Sequence, residues 1–457
     1  MPGLLLLVGS LLVFGPQKEA DSADATTALV ATLGSTKYSE RESASKALVE
    51  QGRTSLRALS LARKANDPEV QARAEYLLER IERSLLVRPT LVKLPPGEQP
   101  IADVLRTIRE QTGFRFEIDP GADPTWIQNR VQLENREPEN FWDLLTTLKL
   151  AGNWVQDHES PVFGVRGEPV FHLGPVPKQA PLDRTTSGPL CLVVKSYEGE
   201  NAPRRRAGGN AFPTDPPPTI RLEILTEPRI VLRSITDVRI LEAVDSTGAN
   251  LVQADQAVFI DGPPSNFAMP GTANVVWPFG LALKRPAGTN PMIRSLVLEL
   301  DAEIESRRYE PYELIMNRAD GNMEFPTPAQ CGELSIQRAS LIKNPGENGL
   351  SLDLVARTEG WSEMAVFRRG NRRRVDLMNT ELERIVANLE VADSKGRPFR
   401  FSTNQSKRFD PLEFRVTLGL VDSAENDAPT TLRFYGNIRD TAHFRFEFHD
   451  LVLPVRE

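Results

Sequence analysis

The feature that most constrains this chain is a helical pattern that occurs twice between residues 89 and 158. Apolar side chains recur at i, i+3, i+4 and i+7, which is the spacing of one face of a helix. The two sets are Ile101, Val104, Leu105 and Ile108, followed by Phe141, Leu144, Leu145 and Leu148. Two short amphipathic helices are therefore predicted, each with one face in a core.

A proline precedes each set of apolar residues and a glycine follows it. Pro100 and Pro138 suit a first helical turn, where the missing N–H removes a donor that has no helical partner. Gly113 and Gly152 suit the left-handed position that closes a helix. Extended chain follows both helices, at Phe114, Phe116 and Ile118 and again at Trp154 and Val155. The order strand, helix, strand, written twice, predicts a small α+β domain of duplicated βαβ halves over residues 89–174.

The two phrases IADVLRTIREQTGFRFEIDP and NRVQLENREPENFWDLLTTLKLAGNWV give this region a family resemblance. It resembles the short N-terminal domain shared by secretins and TonB-dependent receptors. The resemblance implies a periplasmic domain that makes protein–protein contacts, and it brings no catalytic residue with it. In those families a membrane barrel or a secretin channel follows the domain, whereas soluble-looking strands follow it here.

Residues 24–88 have a helical pattern throughout, with breaks near Gly34, Gly52 and Asn66. Asp67 and Pro68 provide an N-cap and a first-turn proline for the last helix. Its apolar face comprises Val70, Ala74, Leu77, Leu78 and Ile81. Three or four short antiparallel helices are predicted. The segment is similar to a HEAT-type repeat, but it has room for about one and a half units, fewer than a solenoid needs. We therefore expect a helical cap or docking element.

Residues 1–23 have the plan of an export signal, with an apolar run from Leu4 to Phe14 and small residues near Ala20. The run is short for a membrane span. It lacks the basic residues that usually precede such a run, and a buried N-terminal helix is the alternative. No later segment has transmembrane length, and no cysteine marks a lipid anchor. The expected location is the periplasm or cell envelope, and the whole chain resembles exported bacterial multi-domain proteins.

The remainder of the chain has the pattern of an all-β protein. Residues 175–189 are rich in proline and are predicted to form a linker. Short strands and turns then predict two β-sandwiches, residues 190–325 and 326–457. We interpret the two as a duplication, because three features recur in the same order. These are Cys191 with Cys331, LEAVDSTGANL with LEVADSKGRPF, and LELDAEI with FYGNI. Convergent strand patterns are the alternative explanation.

Composition limits the classes of function. The formal net charge of −7 over 457 residues argues against a protein whose whole surface attracts nucleic acid, and leaves only local basic clusters open. No nucleic-acid partner is expected. Two cysteines exclude a disulfide scaffold, and two buried thiols are expected rather than a bridge. His443 and His449 lie six residues apart in a predicted strand, about 20 Å by strand rise, which is too far for one metal ion. We interpret them as the solvated face of an edge strand, and predict no metal site and no cofactor.

The sequence contains no nucleophile elbow, zinc-protease motif, phosphate loop or dinucleotide fingerprint. A glycosidase-like carboxylate pair stays open, because such pairs leave no local pattern. Ligand-binding candidates are two arginine clusters that suit an anionic glycan, and two tryptophans in loop-like settings that suit stacking on a sugar. These are Arg204, Arg205, Arg206, Arg368, Arg369, Arg372, Arg373, Arg374, Trp277 and Trp361. Solubilising loops and ordinary packing are the alternatives.

From these patterns we expect a non-catalytic exported envelope protein that acts as a protein-binding or assembly module. Its partner is expected to be another envelope protein. The first alternative is a carbohydrate-binding or carbohydrate-processing envelope protein. The second is a component of a secretion or receptor-signalling machine.

Overall fold

The computed structural model describes most of the chain between residues 17 and 452. The described residues are 17–112, 114, 116–118, 124–134, 137–155, 170–175, 183–198, 219–252, 258–259, 276–284, 292–317, 323–331, 334–343, 350–358, 388–408, 413–421 and 427–452. The chain forms two compact units, residues 1–85 and 86–457. A small helical region is followed by mostly antiparallel β-sheets.

Within its described residues, the first unit contains four α-helices and one 3-10 helix. They are α1 Gln17–Thr32, α2 Tyr38–Gln51, a 3-10 turn Gly52–Ser55, α3 Leu56–Ala62 and α4 Pro68–Val87. The predicted breaks near Gly34, Gly52 and Asn66 are confirmed. The predicted cap is also confirmed, since α4 begins at Pro68 and Asp67 Oδ1 accepts a hydrogen bond of 2.9 Å from the main-chain N–H of Glu69. The core of this unit includes Leu48, Leu59, Ala74, Leu77 and Ile81.

The predicted α+β region follows, and each of its two helices lies between strands in the chain. The elements are β1 Leu91–Val92, β2 Gly97–Pro100, α5 Ile101–Thr112, β3 Phe116–Ile118, a 3-10 turn Pro124–Gln128, β4 Arg130–Leu133, β5 Glu139–Asn140, α6 Phe141–Thr147, β6 Leu150–Val155 and β7 Val170–Pro175. Of these, β1, β4, β7 and the 3-10 turn are present in addition to the predicted elements. The strands that flank one helix do not pair with each other. Instead β1 pairs with β5, β2 with β4, and β7 lies between β3 and β6. All eight predicted apolar helix positions are buried.

The predicted ends of these two helices are wrong in detail. Pro100 is the last residue of β2, and Pro138 lies before β5, so neither is in a first helical turn. The N-cap of α6 is Asn140, whose side chain accepts a 2.8 Å bond from the Asp143 N–H. Gly152 lies inside β6, and Lys149 takes the left-handed conformation after α6, with φ of 54°. Gly113 lies outside the described residues.

The strands between residues 184 and 307, together with the last strand of the chain, form a first pair of sheets. The strands up to residue 307 are β8 Arg184–Ser187, β9 Leu190–Glu198, β10 Thr219–Thr226, β11 Val231–Asp245, β12 Val258–Phe259, β13 Val276–Ala282 and β14 Met292–Arg307. One sheet has the order β12-β13-β10-β9-β8, and β11 and β14 belong to the other. Leu222 and Phe279 from the first sheet share one core with Leu298 from the second.

A second pair of sheets follows. Its strands are β15 Tyr312–Ile315, β16 Met323–Glu324, β17 Ala329–Cys331, β18 Leu334–Lys343, β19 Leu350–Thr358, β20 Leu389–Asp393, β21 Arg400–Arg408, β22 Glu413–Val421 and β23 Pro429–Phe434. One sheet has the order β16-β18-β19-β22-β21, with β17 also on β18, and the other has the order β15-β23-β20. Leu354 and Val416 share a core with Val391 and Leu432.

The last strand, β24 Asn437–Val452, joins the first sheet pair and not the second. It pairs with β14 from Met292 opposite Val452 to Arg307 opposite Asn437. Its side chains Phe444, Phe446 and Phe448 are buried in the core of the first sheet pair. The predicted division at residue 325 therefore differs from the structure, in which the second sheet pair lies between β14 and β24.

The segment predicted as a linker is in part an element of the fold. Residues 184–187 form β8, and the main-chain oxygen of Pro189 accepts a 3.1 Å bond from the Trp142 indole N–H. Cys191, Val193 and Leu225, on the outer face of the β9–β10 sheet, belong to the same core as α5 and α6. The α+β region is thus packed directly on the first sheet pair. Residues 176–182 lie outside the described part of the chain.

One of the three recurring sequence features has the same local structure in both sheet pairs. β11 ends in a turn where Asp245 Oδ1 accepts bonds of 2.9 Å from the N–H groups of Thr247 and Ala249. β20 ends in the same turn, with Asp393 Oδ1 bonded at 2.9 Å to the N–H groups of Lys395 and Arg397. Gly248 and Gly396 both have positive φ, at 87° and 79°, which favours glycine. LEAVDSTGANL and LEVADSKGRPF are therefore equivalent.

The two cysteines are not equivalent positions. Cys191 lies within β9, whereas Cys331 ends β17, a separate strand before β18. Both are free and buried, as the sequence predicts. Burial raises the pKa of Cys191 to about 12 and that of Cys331 to about 11, so neither thiol is activated.

Candidate functional site

Nearly all of the ligand-binding residues predicted from sequence lie outside the described residues. This holds for Arg204, Arg205, Arg206, Arg368, Arg369, Arg372, Arg373, Arg374 and Trp361. Trp277 lies in strand β13, opposite Ile224 of β10, and not in the predicted loop. The described part of the chain presents a different candidate, which sequence reasoning missed.

This candidate is the outer face of a long antiparallel ribbon. One of its strands runs through β14 and β15, and the other through β23 and β24. Between the two paired stretches, the Arg308 N–H donates a 2.8 Å bond to the main-chain oxygen of Gly436. Even-numbered residues such as Leu298, Phe434 and Phe446 face the cores. From Glu299 to Arg307, from Arg433 to His449, and at Glu313, odd-numbered residues lie on the other side, which we name the ribbon face. At the end of the ribbon, Ile293 and Leu451 belong to the first core.

In the first sheet pair, an acidic row on β14 dominates the ribbon face. Four consecutive outward positions are acidic, namely Glu299, Asp301, Glu303 and Glu305. Basic side chains on both neighbouring strands neutralise them. Arg233 of β11 binds Glu305 through Nη2 to Oε1 at 2.6 Å and Nε to Oε2 at 3.0 Å, and Arg439 of β24 donates to the same carboxylate. These charge-assisted bonds link β11 and β24 to β14 and hold the three strands side by side.

His443 holds the middle of this row. Its Nδ1 lies 2.8 Å from Asp301 Oδ1, and its Nε2 lies 3.5 Å from Glu299 Oε1. The hydrogen bond to Asp301 raises the pKa of His443 above its ordinary 6.5; partial burial opposes the rise and the charge of Glu299 adds to it. The sequence-based interpretation of His443 as part of the solvated face of an edge strand is confirmed, because β24 is the last strand in its sheet.

The stability contributed by His443 is expected to depend on pH. Because its pKa is raised on folding, the contribution is complete below about pH 6.5 and is lost as pH rises through the higher folded pKa. His443→Gln should therefore destabilise the protein more at pH 5.5 than at pH 8.5. Since the side chain is 48% exposed, the difference should stay under about 1 kcal/mol.

Urea unfolding of both proteins at the two pH values measures this difference. His449→Gln is the matched control, since His449 lies on the same strand and its Nε2 is 3.9 Å from Glu447 Oε2. A destabilisation by His443→Gln that is the same at both pH values would contradict the proposed ion pair.

The ribbon face continues through the junction of the two sheet pairs. Here Arg307 Nε donates a 2.9 Å bond to Asn388 Oδ1, and the Arg307 guanidinium lies 5.1 Å from the centre of the Tyr435 ring. Asn388 Nδ2 donates to Asn437 Oδ1 at 3.1 Å. A Cβ on Gly436 would lie 3.3 Å from Arg308 Cδ, so the arginine stem packs closely on this glycine.

Tyr435 supplies the aromatic ring of this junction, whereas Tyr312 packs partly against the second core. Burial raises the pKa of Tyr435, Glu390 adds to the rise, and the neighbouring arginines oppose it. We define the junction cluster as Arg307, Asn388, Tyr435 and Asn437. The cluster was not visible in the sequence, because three separate segments contribute to it.

Beyond the junction, the ribbon face carries one basic residue between two acidic ones. Arg433 Nε donates to Glu313 Oε1 at 2.7 Å, and its Nη1 donates to Glu390 Oε1 at 2.8 Å. The whole face is therefore an ordered array of paired charges with a tyrosine and arginine centre. This composition is typical of residues that dominate protein interfaces.

Metal-binding groups, membrane-spanning helices and similarity to known proteins also bear on function. Within the described residues, no group of three or more His, Cys, Asp or Glu side chains is arranged to hold a metal ion. No helix in that same part of the chain has the length and apolar character needed to cross a membrane. Comparisons with protein-family models, curated proteins and solved structures find no match to this chain.

Proposed function

We propose that this protein is a non-catalytic exported envelope protein that binds another envelope protein through the ribbon face. In this proposal residues 1–23 are an export signal and 24–88 a HEAT-like docking element. Residues 89–174 are a secretin-type short domain, and the two sheet pairs are β-sandwich domains.

The observation that carries the proposal is the junction cluster. It places tyrosine and arginine side chains between the two charged halves of the ribbon face, and such residues supply most of the binding energy in many interfaces. The cluster is held by main-chain and side-chain bonds, including the 2.9 Å bond from the Tyr435 N–H to the Asn388 oxygen. A face that is already ordered loses little conformational entropy on binding.

Charge complementarity supports a protein partner. Acidic and basic groups alternate across the ribbon face, as in the pairs Arg445 with Glu447 at 2.8 Å and Arg433 with Glu313. A partner protein with the opposite order of charges would bind in the one alignment that places unlike charges together, because like charges placed opposite each other repel.

An affinity experiment with two variants tests the proposal. The full chain is immobilised and exposed to envelope extract, and the bound proteins are identified and then titrated singly. Tyr435→Ala combined with Arg445→Glu should weaken the binding of a specific partner at least about tenfold, the scale expected for loss of a central aromatic residue. Arg106→Glu on α5, whose side chain is 66% exposed, is the matched control away from the ribbon face.

Two results would overturn the proposal. One is an identified partner that binds wild type and the double variant equally while the Arg106→Glu variant loses it. The other is consumption of an envelope glycan by the purified chain, which would favour the carbohydrate-processing alternative. Retention of an unchanged glycan without a protein partner would favour the carbohydrate-binding alternative.

A further inference from the structure

The two sheet pairs are built from equivalent strands in the same arrangement. The order β12-β13-β10-β9-β8 in the first corresponds to β21-β22-β19-β18-β17 in the second. In the smaller sheets, β11 next to β14 corresponds to β20 next to β23.

A shared irregularity fixes this correspondence residue by residue. In β11, Val244 faces Ser295 and Asp245 faces Ile293, so one residue of β14 is skipped. In β20, Ala392 faces Thr431 and Asp393 faces Pro429, so one residue of β23 is skipped at the same place. The equivalence extends from the turn sequences to the paired strands, as expected for a conserved β-bulge.

Each sheet pair is completed by a strand from the other repeat. β15 follows β14 directly in the chain, yet it pairs with β23. β24 follows β23 directly, yet it pairs with β14. The two repeats therefore exchange equivalent strand segments reciprocally, which is the arrangement of a strand-exchanged, two-fold dimer joined in one chain.

We infer that this chain assembles with a second copy of itself by the same strand exchange. In that assembly, β23 and β24 of one copy pair with β15 and β14 of the other. Every backbone and side-chain contact of the ribbon is available between copies as it is within one. Within one chain, the connection from Ile315 to Met323 tethers the two repeats and sets the effective concentration of the partner strands. Between two copies, that concentration is set by the amount of protein. The inference does not depend on the proposed function.

Cysteine pairs on the ribbon test the exchange in the full chain. Ser295 and His449 face each other across β14 and β24. One protein carries Ser295→Cys and a second carries His449→Cys, and they are unfolded together and refolded at high concentration. We expect a disulfide-linked dimer of the two variants, together with a dimer of wild type by light scattering after the same treatment.

The controls separate exchange from chance contact. Ser295→Cys mixed with Thr441→Cys should give little linked dimer, because Thr441 faces Glu303 and not Ser295. A single chain with both Ser295→Cys and His449→Cys should form the bond within itself when refolded at high dilution, which shows that the substituted ribbon folds. Only monomer in the mixed experiment, with the single-chain bond intact, would overturn the inference. Equal linkage by both mixtures would also overturn it.

Discussion

A chain that lacks residues 308–436, with Arg307 joined to Asn437 through an Asn-Gly turn, is expected to fold cooperatively. Arg307 and Asn437 are directly paired at the end of β14 and β24, so the excision leaves two antiparallel strands ready for a tight hairpin. The core of the first sheet pair keeps all of its strands. Near-UV circular dichroism and size-exclusion chromatography should show a compact, ordered monomer without the second sheet pair.

The matched comparison is the chain that ends at residue 325, the division predicted from sequence. It lacks β24 and therefore loses Phe444, Phe446 and Phe448 from the first core. Each buried phenylalanine is worth about 3–5 kcal/mol. Together these losses are as large as the whole free energy of unfolding of a typical domain, which is about 5–15 kcal/mol. This chain should unfold or aggregate, and a cooperative thermal transition of its first sheet pair would contradict the assignment of β24.

Local patterns predicted local structure well. The helix faces of α5 and α6, the Asp67 cap and the turn at Asp245 depend on residues within a few positions of each other, and all occur where the sequence places them. The failures near α6 have a non-local cause. Pro138 was expected in the first helical turn and Gly152 in the left-handed closing position, but Asn140 is the N-cap and Lys149 takes the left-handed conformation. The pairing of β5 with β1 and of β6 with β7 sets those ends.

The pairing of strands that are distant in the sequence could not be predicted from local patterns. The alternation of Phe444, Phe446 and Phe448 with polar residues identifies a strand with one buried face, yet it does not say which core receives it. The partner strand β14 lies more than a hundred residues earlier, beyond a complete pair of sheets. The junction cluster depends on the same pairing, which is why Arg307, Asn388 and Tyr435 were not recognised together.

Contacts between residues distant in sequence also hold the α+β region in place, and they centre on the fully buried carboxylate of Glu227. Glu227 accepts a 2.8 Å bond at Oε1 from the Thr90 N–H and a 2.6 Å bond at Oε2 from the Thr90 hydroxyl. Arg229 Nε donates to Glu227 Oε2 at 3.0 Å, and Arg229 also donates to the main-chain oxygen of Arg88. The start of the α+β region is thus tied to the turn between β10 and β11.

Glu227→Ala is expected to destabilise residues 86–457 by about 3–5 kcal/mol, because it removes one partner of a buried ion pair. Glu227→Gln keeps the size of the side chain and one acceptor oxygen, so it should cost less. Urea unfolding measures the global loss, and hydrogen exchange of the peptide that contains Thr90 measures the local one. That peptide should exchange faster in Glu227→Ala.

Glu447→Ala is the matched control, because the Arg445–Glu447 pair is exposed, with 55% and 45% of the two side chains accessible. Exposed pairs contribute about 0–1 kcal/mol. If both substitutions cost the same, and exchange at Thr90 is unchanged, then Glu227 does not hold the α+β region to the first sheet pair. A double-mutant cycle with Thr90→Val measures the interaction between the two side chains. The double variant should be destabilised by less than the sum of the two single variants, because either substitution alone removes the bond from the Thr90 hydroxyl to Glu227 Oε2.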